Sequence, residues 1–529
     1  MKVTVVGSGP SSIHFALTLL NKGYSVEMID VGYKNEYDIL KGYDFGEIKE
    51  NYSDPIDFFL GKNFETIIPP DSEEIYRFPP TKQYVFKKPK NFVYSTKGFE
   101  PLFSFAQGGL AEAWTGGSYP FNNSELEDFP FDYDKIEQYY SLVAERIGLC
   151  GTKDDLSKIF PFHDNIINAP ELDLHSKYLE KNYSLKKSKF DRFILGRSRI
   201  ALLTKDYKGR KACDMSGKCQ WGCSNDSLYV PSLTLNECLK HKNFTYYGGI
   251  FVKFFNYKKG KVFELIGEDV NSGKEKSFDI DILALGAGTL STGKIFLDSI
   301  YKNSGKIEVL KGLMDNRQVI APFVSLSLLT KQYDLNSYQY HLLSAGIITD
   351  DPKEYIHTQI TTLKTSLVHP VINSLPFDFK SSIFYTRNIR TALGVANINF
   401  NDYRRNNNFI TIKPIENNNT ELYINYVPEP KEKKKIKESL KFLSRNFLRL
   451  GAIMPDFQVR IRNMGESVHY AGILPMSKNK KNFFTNENCR SYDFDNLFII
   501  DGSTFPFLSA KNITFTLMAN ASRIADKEF

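Results

Sequence analysis

The sequence predicts an α/β fold: a Rossmann-like nucleotide-binding domain interleaved with an α+β substrate domain built on an antiparallel sheet. Three observations predict it. The chain opens on a strand, a glycine turn, a helix and a second strand within its first 32 residues. A second apolar run, Ile282 to Leu285, enters another glycine turn at Gly286-Ala287-Gly288. Between these and beyond, residues 244–280 and 318–427 read as successive β-strands. Strands that alternate with helices favour a parallel sheet, and runs of adjacent strands favour an antiparallel one.

The opening unit carries its own justification. Val3, Val5 and Val6 form a short buried strand. Gly7-Ser8-Gly9-Pro10-Ser11-Ser12 matches G-x-G-x-x-G with serine in the third slot. Gly7 permits the tight turn, Gly9 lets the backbone approach a pyrophosphate, and Ser12 is small enough for close helix packing. The helix from about Ser11 to Lys22 ends at Gly23, and its positive end faces the phosphate site. His14, inside this helix, reads as a packing residue. Val26, Met28 and Ile29 form the second strand, and Asp30 stands at its end, where an acid accepts from ribose hydroxyls.

Further along, residues 33–95 read as loops and short helices, with proline pairs at 69–70 and 79–80. Residues 131–148 read as an amphipathic helix. Thr245 to Phe255, Val262 to Ile266 and Ser277 to Ile282 read as a meander. Phe409 to Pro414 and Glu421 to Val427 read as strands about a turn at Asn417–Asn419. The lysine-rich run 431–452 has helical periodicity, with its lysines on the solvated face.

The bulk numbers exclude several classes. Among 529 residues, 68 Lys and Arg against 61 Asp and Glu leave +7, too diffuse an excess to imply nucleic acid. No apolar run approaches the roughly 18–20 residues that span a bilayer. No leader precedes the first strand, so the expected location is cytoplasmic.

The most specific segment is the C-terminal one. It reads Ser467-Val-His469-Tyr-Ala-Gly472, then Asn496-Leu-Phe-Ile-Ile-Asp501-Gly502-Ser503-Thr-Phe-Pro506, then Asn512-Ile-Thr514-Phe-Thr516. This order resembles the C-terminus of the glucose–methanol–choline (GMC) oxidoreductases. Gly108-Gly109-Leu-Ala-Glu-Ala113-Trp114-Thr115 resembles the glycine-rich loop beside that family's flavin ring, and is closest to the pyranose oxidases. Ile282 to Ser299 and Val26 to Gly32 also resemble the family. It departs in having Ile513 for a proline, Ile473 for a threonine and Asp30 for a glutamate. The histidine that carries covalent flavin in some pyranose oxidases is Ala113 here, which implies non-covalent FAD.

The resemblance implies an FAD-binding set of Gly7, Gly9, Pro10, Ser11, Ser12, Asp30, Gly32, Gly108, Gly109, Trp114, Thr115, Gly286, Ala287, Asp501, Gly502, Asn512 and Thr514. It also implies a catalytic pair. His469 takes the proton from an alcohol, for which a neutral imidazole is suited, and Asn512 orients the substrate oxygen. The expected activity is oxidation of an alcohol on a sugar, polyol or related polar metabolite, with oxygen or a redox partner as acceptor. The same site could serve a flavin-dependent isomerase or lyase, and a flavin-binding non-catalytic subunit is the third reading. The expected segments are 1–130, 196–300 and 461–529 for FAD, with 131–195 and 301–460 on the substrate side.

Cys213, Cys219 and Cys223 cluster in one loop. Their spacing lacks the paired C-x-x-C of zinc sites. Free or structural thiols and a disulfide are open readings. Because some GMC dehydrogenases carry a three-iron cluster on a similarly placed group, so are ligands to an iron–sulfur cluster.

Overall fold

The computed structural model describes residues 2–64, 66, 78–163, 165–332, 334, 336–363, 372, 375–416 and 419–529. Pro69, Pro70, Asn417 and Asn418 lie outside the described residues.

Five parallel strands form the central sheet. Their order is Leu497–Ile499, Ile282–Leu285, Lys2–Val6, Ser25–Ile29 and Phe244–Tyr247. Covered on both faces, such strands read as continuous apolar runs. Val3, Val5, Val26, Met28, Leu283 and Leu285 are accordingly buried. The helix Pro10–Asn21 packs one face together with the C-terminal helix Thr514–Glu528. Pro10 sits in the first helical turn, where its missing N–H is no loss.

The meander differs from the expectation at its start. Thr245 to Phe255 is two strands, broken at Gly248-Gly249, where Gly249 has φ +80°. Phe244–Tyr247 pairs in parallel with Ser25–Ile29 as the edge of the central sheet. Ile250–Lys258 begins the antiparallel meander with Lys261–Asp269 and Glu275–Asp279. Both pieces are β-rich, so residue pattern alone did not mark the change of sheet.

The second layer is a six-stranded antiparallel sheet. Its order is Arg460–Ile461, Gln318–Val324, Leu393–Asn399, Ile356–Thr362, Leu343–Ile347 and Phe193–Arg197. One face, through Phe323, Ile360 and Ile398, packs into a core with Leu443 and Phe447 of the helix Glu432–Arg449. Lys433, Lys434 and Lys437 of that helix are exposed. Segment 301–460, expected as one substrate unit, contributes to two cores. Leu310, Ile410, Ile412, Leu422 and Ile424 pack with Ile29, Leu285 and Ile499 of the central sheet instead. Among the described residues, no helix is long and apolar enough to cross a membrane.

Candidate active site

One cavity of about 450 Å³ runs between the two layers. At one end it is lined by Gly7, Gly9, Pro10, Ser11 and Asp30, and at the other by His469 and Asn512. Gly109, Trp114, Thr115, Gly286, Ala287, Asp501, Gly502 and Thr514 also line it.

The first end is a main-chain cradle. Gly7 has φ +90°, and a Cβ there would stand 2.8 Å from the Gly286 carbonyl oxygen. The two glycine turns therefore touch, and Ser12 Oγ donates to Gly286 O at 3.0 Å. Gly9 is the N-cap of the opening helix, and no side chain caps the helix there. Its first amides are thus left for an anionic group, with the helix dipole in support. Asp30 accepts from Ser8 Oγ and from Tyr246 Oη. Burial pushes its carboxyl up to about 6. Ser12, Gly32 and Gly108 stand behind the lining: Gly108 N donates to Ser8 Oγ at 2.9 Å, and Gly32 lies against the Tyr246 hydroxyl. Backbone amides for phosphate and a buried acid for ribose fit a dinucleotide.

Asp501 ties the two strand ends together. It accepts from Gly288 N at 2.9 Å, Thr292 Oγ1 at 2.6 Å and Ser503 N at 3.0 Å. Trp114 Nε1 donates to Tyr229 O at 2.7 Å, and the Thr115 carbonyl accepts from Tyr338 Oη at 2.7 Å. His14 is buried against Tyr229, 3.0 Å from its hydroxyl.

The second end is made of side chains. His469 Nδ1 lies 3.0 Å from Asn316 Oδ1. Asn316 Nδ2 donates to Phe400 O at 2.7 Å and Ser509 O at 2.8 Å. Both amide hydrogens are spent, so Oδ1 can only accept and His469 Nδ1 carries the proton. The lone pair therefore sits on Nε2, which faces Asn512 Nδ2 at 3.4 Å. Gln359 Nε2 donates to Asn512 Oδ1 at 2.7 Å, which fixes the amide so that its nitrogen points at His469. Burial first, and the Arg462 guanidinium second, hold the imidazole down to about 4. It is neutral at ordinary pH. Nearby, burial pushes Asp315 up to about 7, against the bonds it accepts from Ser467 Oγ and Gly465 N.

Sequence reasoning named His469 and Asn512, which the fold brings to one cavity, but did not name Asn316, His341 and Gln359. His341 and Gln359 line the same cavity with Gln318, Thr361 and Asn397. For Gln359 the signal lay in strand alternation. In Ile356–Thr362, Ile360 faces the core while Gln359 and Thr361 face the cavity. In Leu393–Asn399, Ala396 and Ile398 face the core and Asn397 the cavity.

Cys213, Cys219 and Cys223 pack as free thiols beside Tyr338 and Tyr340. Burial pushes Cys213 up to about 11 and Cys219 up to about 12. Among the described residues, no group of three or more His, Cys, Asp or Glu is placed to hold a metal ion. The fold adds no support for the iron–sulfur reading.

A dinucleotide cradle opening onto a buried polar site beneath an antiparallel sheet defines a class: a flavin-dependent oxidoreductase. Residues 405–521 match the family model described as GMC oxidoreductase. The paromamine 6'-oxidase of Streptomyces fradiae is 20% identical over 437 residues, covering 78% of this chain and 75% of that protein. The crystal structure of pyridoxine 4-oxidase from Mesorbium loti has the same fold. Its TM-score is 0.59 at 13% identity, over 99% of this chain and 98% of that one. GMC oxidoreductases bind FAD and oxidise alcohols, and the cradle at Gly7, Gly9 and Asp30 fits that cofactor.

Proposed function

We propose that this protein oxidises an alcohol on a small polar molecule, such as a sugar, polyol or related metabolite, with His469 as base and Asn512 as orienting group. One observation carries the reading. The bare Nε2 of His469 and the amide nitrogen of Asn512 face each other at 3.4 Å, in the same cavity as the dinucleotide cradle. That contact is long for a hydrogen bond, and a hydroxyl seated against both groups completes it.

Bound FAD supplies the hydride acceptor. The rest falls to the protein. Asn512 Nδ2 donates to the hydroxyl oxygen and fixes its direction. His469 Nε2 takes the hydroxyl proton, and Asn316 Oδ1 stabilises the resulting imidazolium through Nδ1–H. Gln318, Gln359, Thr361 and Asn397 give the cavity wall neutral donors and acceptors beside the Arg462 guanidinium, which suits a polar substrate. The names of the two relatives, oxidases of paromamine and of pyridoxine, support a polar alcohol. The FAD set proposed is the one that lines or backs the cavity from Gly7 to Thr514. The electrons leave to oxygen or to another acceptor.

The test is anaerobic addition of a panel of alcohols and sugars to the FAD-loaded protein. At least one member should bleach the flavin absorbance. Bound flavin that no member bleaches would overturn the proposal, and substrate turnover without bleaching would indicate an isomerase or lyase.

A further inference from the structure

The turn that carries Asn512 is held by a buried ion pair with no part in the proton transfer. Lys511 Nζ and Glu125 Oε2 lie 2.6 Å apart, with side-chain exposures of 0% and 1%. Lys511 uses all three ammonium hydrogens, on Glu125, on Pro120 O at 3.0 Å and on Ile159 O at 3.1 Å. Glu125 is equally committed. Its Oε1 accepts from Ser509 Oγ, and its Oε2 also accepts from Asn122 N at 2.8 Å. Ser509 Oγ in turn accepts from Lys511 N at 3.1 Å. One carboxylate thus grips both ends of residues 509–511, directly before Asn512.

The same segment reaches His469. The Ser509 carbonyl accepts one hydrogen of the Asn316 amide at 2.8 Å, and Asn316 Oδ1 meets His469 Nδ1 at 3.0 Å. A shift of the Ser509 carbonyl would leave the Asn316 amide held through Phe400 O alone, and an amide that turned would donate to Nδ1 and move the ring proton to Nε2. That tautomer has no lone pair facing Asn512.

We infer that Glu125 is a positioning residue for both His469 and Asn512, and that it sets the tautomer of His469 through Ser509 and Asn316. A buried ion pair is weak evidence of stabilisation, since apolar replacements are often neutral. Here the pair converts into fixed geometry at two reacting side chains. Its consequence for catalysis rests on the function proposed above, but its consequence for the tautomer does not.

The test uses the FAD-loaded protein with ¹⁵N-labelled histidine, with the His469 signal assigned by His469→Gln. At neutral pH the wild type should show one neutral tautomer, protonated at Nδ1. Glu125→Gln and Ser509→Ala should each show a mixture or the opposite tautomer. Ser509→Ala leaves the ion pair in place and decides the matter if Glu125→Gln does not fold. Flavin reduction by an alcohol that bleaches the wild type should slow about tenfold or more in both, the scale of a small misplacement, with substrate affinity little changed. An unchanged tautomer in the folded variants, with or without lost stability, overturns the inference. If no alcohol bleaches the wild type, the proposed function fails while the tautomer result still decides this one.

Discussion

The two ends of the cavity are built by opposite means. The proposed cofactor end is main chain: two glycine turns in contact, an uncapped helix terminus and one acid. The proposed substrate end is side chain: an imidazole oriented by Asn316 and an amide oriented by Gln359, each from a different strand or loop. A main-chain site tolerates little at a few positions, because a Cβ has nowhere to go. A side-chain site spreads its requirements over a network in which each member directs the next.

That contrast predicts a graded set of losses. Gly7→Ala places a Cβ 2.8 Å from the Gly286 carbonyl in a backbone region disfavoured for alanine. It should abolish FAD retention, read as loss of flavin absorbance per mole of purified protein. His469→Ala should keep its flavin and lose flavin reduction by about 10²–10⁴-fold, the range of a positioned base, measured by anaerobic stopped flow. Gln359→Leu frees the Asn512 amide, and reduction should fall about tenfold at unchanged flavin content. Trp114→Phe removes the donor to Tyr229 O and part of a ring that lines the cavity. It should cost about 1–3 kcal/mol of stability in denaturant unfolding, with reduction falling less than in Gln359→Leu. Loss of flavin from His469→Ala, or its retention by Gly7→Ala, would break the comparison.

The same contrast explains what could be read from the sequence. Gly7, Gly9 and Asp30 stand within 24 residues because one βαβ unit makes the cradle. His469 and Asn512 were legible because a resemblance to GMC oxidoreductases marked them. Asn316 and His341 carried no local mark. They lie between strands among other polar residues, and only the register of the six-stranded sheet turns Gln359 and Asn397 toward one cavity. The break at Gly248-Gly249 was missed for a related reason. Alternation shows that a residue is in a strand but not which sheet the strand joins.

The central claim is that His469 is a neutral base with its lone pair on Nε2. The most direct measurement is the pH dependence of the flavin reduction rate under anaerobic conditions. Burial holds His469 down to about 4, so the basic form persists above that pH and is lost below it. The rate should be level from pH 8 to about pH 5 and fall only as pH approaches about 4, with that fall absent in His469→Gln. A fall centred near 6.5 would show an ordinary exposed histidine, and one near 7 that persists in His469→Gln would point to Asp315; either result would contradict the claim.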